Sequence, residues 1–477
     1  MAAGAGGGRE MNIQSLTCLL FALVVWLLCA VIRPVRQRQW WLLAASYFFY
    51  ASWGLRFLAI LIFSSIVNYA LCLWVRKRAT ATRLWVGICF NLLLLCSFKY
   101  LPAASASGLP LLVRRLGMPI GISFWTFQAL SAIFDTYREE DSAERPSGVE
   151  FCLYLAFWPT VLSGPICRLA DMLEQFRTTP RINWDDLSAG GKRIVTGLFM
   201  KVFLAQVLAK GLLPGQGLDT GFDQLSRGWG GFDVWLLGAG FGFQLFFDFA
   251  GYSHIVIGIA RLFGIRLQEN FNRPYLSPTP SVFWTRWHMS LSFWIRDYLF
   301  LPLAVLRRES WWRQAVLLIA MLVFGIWHGA AWGFLGWGLY HGLLLVAHRQ
   351  IQQVRRFNVS WPEWAESFLG WAVTFGAVSL GWILFRAQTV SQAWLMYRAV
   401  LSPRAYLHLA LDPNLYFTTF VIVTGYFVWA GLRHALEQIP PEVDRFRWLF
   451  APAYYSLLLV ITIVWSSEKS VFVYLQF

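Results

Sequence analysis

An all-α protein that crosses a membrane many times is what this sequence predicts, and three observations carry that reading. Of its 477 residues, 57% are hydrophobic and only 14% are charged, against roughly 25% charged in soluble domains, and the mean hydropathy is +0.52. Apolar runs long enough to cross a bilayer recur along the whole chain. Aromatic residues reach 18%, with 27 Trp and 40 Phe, a composition suited to the membrane–water interface, where amphipathic rings settle. No hydrophilic stretch exceeds about forty residues, so a sizeable soluble domain has no room, and 1–477 reads as a single domain.

Taken in order, Ile13 to Ile32 is the first span. It is followed by Arg33, Arg36 and Arg38 rather than by a small-residue cleavage site, so it reads as a membrane helix and not a signal peptide. Further apolar segments lie near 40–54, 57–75, 84–99, 118–136, 151–166, 194–213, 232–260, 315–346, 368–386, 414–433 and 452–466. The 315–346 run is long enough for two short spans around Gly329–Gly336. The 232–260 run carries Gly, Asp and His, so it is either broken or partly buried in protein. Several segments are short or Gly-rich, which suggests re-entrant helices, tolerated only where protein surrounds them. The count comes to about 10–13 transmembrane or re-entrant helices.

The net charge of +15 does not point to nucleic acid. Basic residues fall in short clusters between apolar runs, as the positive-inside rule places them. The Arg33/Arg36/Arg38 cluster and the Arg76/Lys77/Arg78/Arg83 cluster are separated by two spans, so both face the cytosol and the N-terminus lies outside. The 168–193 segment reads as another cytoplasmic loop. The seven cysteines form no CxxC pair, which argues against a disulfide framework or a zinc site; no metal is expected. HExxH, a Walker-type phosphate loop and GxSxG are all absent, which disfavours a metalloprotease, an ATP-driven pump and a serine hydrolase.

Ionisable groups inside a membrane segment are costly and therefore mark function by default. Phe324-Gly325-Ile326-Trp327-His328-Gly329 places His328 within an apolar run without an acidic neighbour in sequence. Such an imidazole serves either as a neutral general base or as a structural partner to a neighbouring helix. Around His288, helical spacing puts Trp284, Trp287, His288, Leu291 and Ile295 on one face, with Arg286 and Arg296 largely elsewhere. That pattern fits an amphipathic helix at an interface or lining a cavity, in which His288 either anchors or reacts. Gln244, Asp248 and Tyr252 form a polar stripe that lines a tunnel or belongs to an interhelical hydrogen-bond network. Pro119-Ile120-Gly121 and Ser163-Gly164-Pro165 are helix breaks that can shape a pocket.

Together these blocks resemble the membrane-bound O-acyltransferase (MBOAT) family, in the branch of the alginate O-acetyltransferase membrane subunit and the D-alanyl transfer protein of teichoic acid synthesis. The resemblance rests on Asp135-Thr136-Tyr137-Arg138, Ser163-Gly164-Pro165 with Arg168, Asp248-Phe249-Ala250-Gly251-Tyr252-Ser253 and Asn270-Phe271-Asn272-Arg273-Pro274-Tyr275. It continues through Phe283-Trp284-Thr285-Arg286-Trp287-His288, Arg296-Asp297-Tyr298 and Trp327-His328-Gly329, and is strongest over about 115–345. Val282 stands where it leads one to expect an acidic or small polar residue.

The resemblance implies a ring of helices around a thinned centre with a tunnel, His328 as the catalytic histidine, and His288 as a second characteristic histidine. Asp248, Tyr252, Asn272, Arg286, Trp287, Trp327 and Arg296 become candidates for lining the tunnel or holding the donor. It implies no bound cofactor, with acetyl-CoA or another acyl thioester as the donor substrate, drawn to basic cytosolic loops. The implied setting is the bacterial inner membrane, with a periplasmic N-terminus and membrane lipids around the chain. The implied partners are a periplasmic or membrane-anchored SGNH-type acetyltransferase and a polysaccharide acceptor, the product being O-acetylated exopolysaccharide. A transporter or flippase for a lipid-linked sugar is the rival class. It should show repeats in its two halves, and the sequence shows none.

Overall fold

A segment in hydrocarbon must satisfy its own backbone N–H and C=O groups, and a helix does this without help from another segment. The computed structural model describes residues 11–100, 117–138, 145–178, 183–213, 215–223, 228–354, 362–437 and 447–465. Regular structure among the described residues is helical, with no strand. Six helices among them are long and apolar enough to cross a membrane: Leu55–Lys77, Ala81–Lys99, Gly231–Leu262, Ser310–His328, Glu363–Arg386 and Pro413–Ala435. Leu16–Val31 and Phe450–Trp465 are shorter apolar helices. Phe63, Leu93, Val373 and Phe417 are exposed on the long helices, as side chains are when the solvent is lipid. The chain is a multi-pass, all-α membrane protein.

The remaining apolar segments form shorter or interrupted pieces. The 315–346 run divides into Ser310–His328 and Trp332–Val354, a break at 329–331 that the sequence leads one to expect. The 232–260 run is one unbroken 32-residue helix, Gly231–Leu262, whose apolar window is 83% buried; its polar residues are accommodated by burial in protein and not by a break. The 151–166 run is helical only through Ala156, the end of helix Gly148–Ala156, and continues as buried irregular backbone through Cys167. The 194–213 run contains a π-helical turn, Phe199–Leu204, after helix Trp184–Leu198.

The chain divides into two compact units, one comprising 1–194 and 253–269, the other 195–252 and 270–477. In the first, Ile122–Arg138 packs against Leu55–Lys77 and Ala81–Lys99 and is buried at every position from Ile122 to Ile133. Asn68 and Asn91 exchange side-chain amide hydrogen bonds of 3.2 and 2.6 Å between the latter two helices, a polar tie suited to an apolar medium. The two Gly/Pro breaks meet: a Cβ on Gly121, whose φ is +77°, would stand 2.1 Å from the Val161 carbonyl oxygen. Only glycine fits both that backbone angle and that approach.

Glu150 ties three helices of the same unit. It completes a capping box with Ser147 at the start of Gly148–Ala156. Its carboxylate accepts two hydrogen bonds from the Arg177 guanidinium, at 2.7 and 3.0 Å, and one from the Gln39 amide at 3.3 Å. Burial opposes its ionisation, but the bonds from Arg177 and Ser147 outweigh it and hold the carboxyl at about 2. A depressed folded-state pKa adds stability above the unfolded value, about 4.3, that is lost as pH falls toward 2. Unfolding of the detergent-solubilised protein should therefore show a stability loss between about pH 4.3 and pH 2 that is shallower in Glu150→Gln; identical acid profiles would remove Glu150 as its source.

Candidate active site

The second unit holds every side chain singled out around the two histidines. Helices Ser310–His328 and Trp332–Val354 form a hairpin whose two halves touch through glycine. A Cβ on Gly325 would lie 2.3 Å from the Phe334 carbonyl oxygen, and one on Gly338 would lie 2.4 Å from that of Met321. Small residues let the backbones approach this closely, the usual means of packing helices in lipid. One turn beyond Gly325, His328 ends its helix with 3% exposure. Its imidazole is enclosed by Trp327 at 4.7 Å between centroids, Phe385 at 4.9 Å, Trp337 at 5.2 Å, Phe324 at 5.3 Å and Phe334 at 6.0 Å.

His288 reaches the same aromatic cluster by a different route. The helical face expected over 284–295 is not continuous. Helix Pro280–Trp284 stops, the chain turns, and His288 adopts φ +42° before helix Met289–Ile295. Arg273 and His288 are the two non-glycine residues with positive φ among those described. Such a conformation costs about 1–2 kcal/mol per residue and persists when surrounding structure over-determines it. Here the 270–272 backbone does so. Asn272 N–H donates to the Arg286 carbonyl at 3.0 Å, Met289 N–H to the Asn270 carbonyl at 2.8 Å, and the Ser290 hydroxyl to Asn270 Oδ1 at 2.6 Å. His288, fully buried, meets Phe249 at 4.7 Å and Trp327 at 6.2 Å. The Trp327 indole thus contacts both histidines.

Asp248 is fully buried one residue before Phe249 and forms an ion pair with the equally buried Lys201. Lys201 lies in the π-helical turn Phe199–Leu204, and Gly251 lets it come close, since a Cβ there would meet the Lys201 backbone nitrogen at 2.9 Å. The polar stripe of Gln244, Asp248 and Tyr252 is buried along its length, and at Asp248 it is part of an interhelical polar network. Trp287 stands among Trp382 at 4.8 Å, Phe271 at 5.1 Å and Phe283 at 5.6 Å.

Asn272 is exposed and Arg286 half-buried, the latter donating to the Leu276 carbonyl at 3.4 Å. Arg296 is exposed, paired with Asp297 at 2.7 Å and resting over Phe293. Among the described residues no three His, Cys, Asp or Glu side chains converge to hold a metal. Two residues near the site had no role assigned from sequence. Lys201 was visible as a charge in an apolar run. His341 belongs to the same run as His328 and is fully buried, 5.1 Å from the Trp337 ring and 5.2 Å from Trp284. A Cβ on Gly381 would stand 2.7 Å from His341 Nε2.

The second unit thus buries two histidines around one indole, in an aromatic enclosure at the end of a helix long and apolar enough to span a membrane. The chain belongs to the membrane-bound O-acyltransferase family, MBOAT, whose model matches residues 11–386. It is 35% identical over 406 residues to a "Probable alginate O-acetylase AlgI" of Azotobacter vinelandii, covering 82% of this chain and 78% of that protein. It is 32% identical over 389 residues to a "Peptidoglycan O-acetyltransferase" of Helicobacter pylori, covering 74% of this chain and 72% of that one. A "Teichoic acid D-alanyltransferase" of Streptococcus thermophilus is 34% identical over 290 residues, covering 56% of this chain and 68% of that one.

Breaking a buried ion pair from one side leaves an uncompensated charge, at about 3–5 kcal/mol. Lys201→Met should therefore lower the unfolding temperature and the recovered yield sharply, and Lys201→Met combined with Asp248→Asn should restore most of the loss. A double variant no better than the single would show that the pair is not the source of the effect.

Proposed function

We propose that this enzyme takes an acetyl group from a cytosolic thioester, such as acetyl-CoA, and passes it outward for O-acetylation of an exopolysaccharide, with His328 as general base. The observation that carries the reading is the position of His328 at the end of a spanning helix, buried among five aromatic rings. An enclosure of this kind excludes water and so protects a thioester from hydrolysis. The acceptor hydroxyl oxygen attacks the thioester carbonyl as His328 takes its proton. The C–S bond then breaks, and the proton passes to the leaving thiolate. The names of the relatives, which place acetyl or D-alanyl groups on surface polymers, support a polysaccharide as the final acceptor.

In this reading a tunnel admits the donor from the cytosolic side, and His288, sharing Trp327 with His328, lines the same path. The enzyme sits in the inner membrane with its N-terminus periplasmic. An SGNH-type partner receives the group and completes transfer to the sugar. Without the base, the chemical step should slow by about 10²–10⁴. Polymer-bound O-acetyl content should therefore fall to background in cells carrying His328→Ala at normal protein level, with His288→Ala measured alongside. Full acetylation in the His328 variant would overturn the mechanism and bring the transporter reading forward.

A further inference from the structure

At the end of the hairpin remote from His328, the start of Ser310–His328 and the end of Trp332–Val354 flank an open cavity of about 350 Å³. Among the described residues it is lined by Ser310, Arg313, Gln314, Arg349, Gln352 and Gln353: two cations, a hydroxyl and three amides, and none of these described residues is a carboxylate. Neither arginine has a carboxylate partner among the described residues. Arg313 donates to the Arg308 carbonyl at 2.9 Å, and the Arg349 guanidinium rests over the Phe300 ring at 5.6 Å. Burial, and after it the like charge of Arg313, press Arg349 below the ordinary guanidinium value. The nearest acid in sequence, Glu309, precedes the helix and lies outside the lining.

Two guanidiniums that repel across a polar cavity are relieved by an anion, and their planar forks match the oxygens of a phosphate two at a time. Gln and Ser side chains supply further donors. Beside the cavity, Trp311 is exposed and Trp312 half-buried, with the Arg307 guanidinium over both rings at 5.9 and 5.2 Å. That combination of indoles and basic side chains is the one found at headgroup depth. We infer that this cavity is an anion site that binds a phosphate group between Arg313 and Arg349. Both an anionic phospholipid headgroup and the phosphates of a soluble ligand present that chemistry.

The test uses the full chain purified in detergent, with thermal unfolding followed against phosphatidylglycerol in mixed micelles and, separately, inorganic pyrophosphate. A ligand that binds only the folded state raises the midpoint saturably. The wild type should show such a rise, and Arg313→Gln/Arg349→Gln should need at least tenfold more ligand for the same rise. Arg313→Lys/Arg349→Lys keeps both charges but loses the forks; it should fall between and serves if the Gln variant does not fold. A response to phosphatidylglycerol alone assigns the site to a lipid headgroup, and one to pyrophosphate alone to a soluble phosphate. Equal responses in wild type and variants, or no saturable response to either ligand, would overturn the site.

Discussion

Backbone that leaves helical geometry inside a membrane protein has to find its hydrogen bonds within the protein, and the surroundings of His288 depend on how that demand is met. The chain between helices Pro280–Trp284 and Met289–Ile295 is exposed at Thr285 and buried at Trp287 and His288. It pairs with residues 270–272 through two backbone bonds and the Asn270 side chain. The left-handed turn at His288 is stable only because those bonds hold it. The turn directs the imidazole against Phe249 and Trp327. The Asn270-to-Tyr275 motif therefore acts on the site through the backbone, although the Asn272 side chain is exposed.

His328 is positioned by a different device with the same result. Gly325 and Gly338 bring two helices into backbone contact, which leaves no space for water between them and draws the rings of Phe334 and Trp337 over the imidazole. Each histidine is thus placed by backbone contacts: His288 by the hydrogen bonds to 270–272 and His328 by the glycine-mediated approach of two helices. The Lys201–Asp248 pair belongs to the same logic. Buried ion pairs are weak sources of stability, because desolvation offsets their attraction. The π-helical turn and Gly251 are local adjustments that let the two charges meet in full burial.

Legibility followed the range of the interactions. The membrane class, the break at 329–331 and the prominence of His328 were all legible, because hydropathy and a lone histidine in an apolar run are local features. The enclosure of His328 was not, since Phe385, in another helix, lies more than fifty residues further on. The helical face proposed for 284–295 failed for the same reason. Its spacing is that of an amphipathic helix, and nothing in that stretch reveals the partner at 270–272 that makes a turn the better solution. Lys201 could be seen as a misplaced charge, but its partner lies 47 positions on, and a π turn leaves no compositional mark. The resemblance makes Arg286 and Arg296 candidates for the donor, and the structure sets Arg296 against Asp297.

The relatives sharpen what such a site does and does not specify. Proteins named for alginate, peptidoglycan and teichoic acid, and for acetyl and D-alanyl groups, align with this chain at similar identity. A fold does not by itself select a substrate, and an aromatic enclosure around an imidazole carries little information about which sugar is to be modified. In the mechanism proposed above it acts on the proton of a hydroxyl and on access of water to a thioester, and neither task depends on which polymer bears the hydroxyl. Under that proposal acceptor choice rests elsewhere, on surfaces that admit or refuse a particular hydroxyl-bearing molecule. On the same proposal the buried site keeps the chemistry dry and fixed, and selectivity is a property of approach.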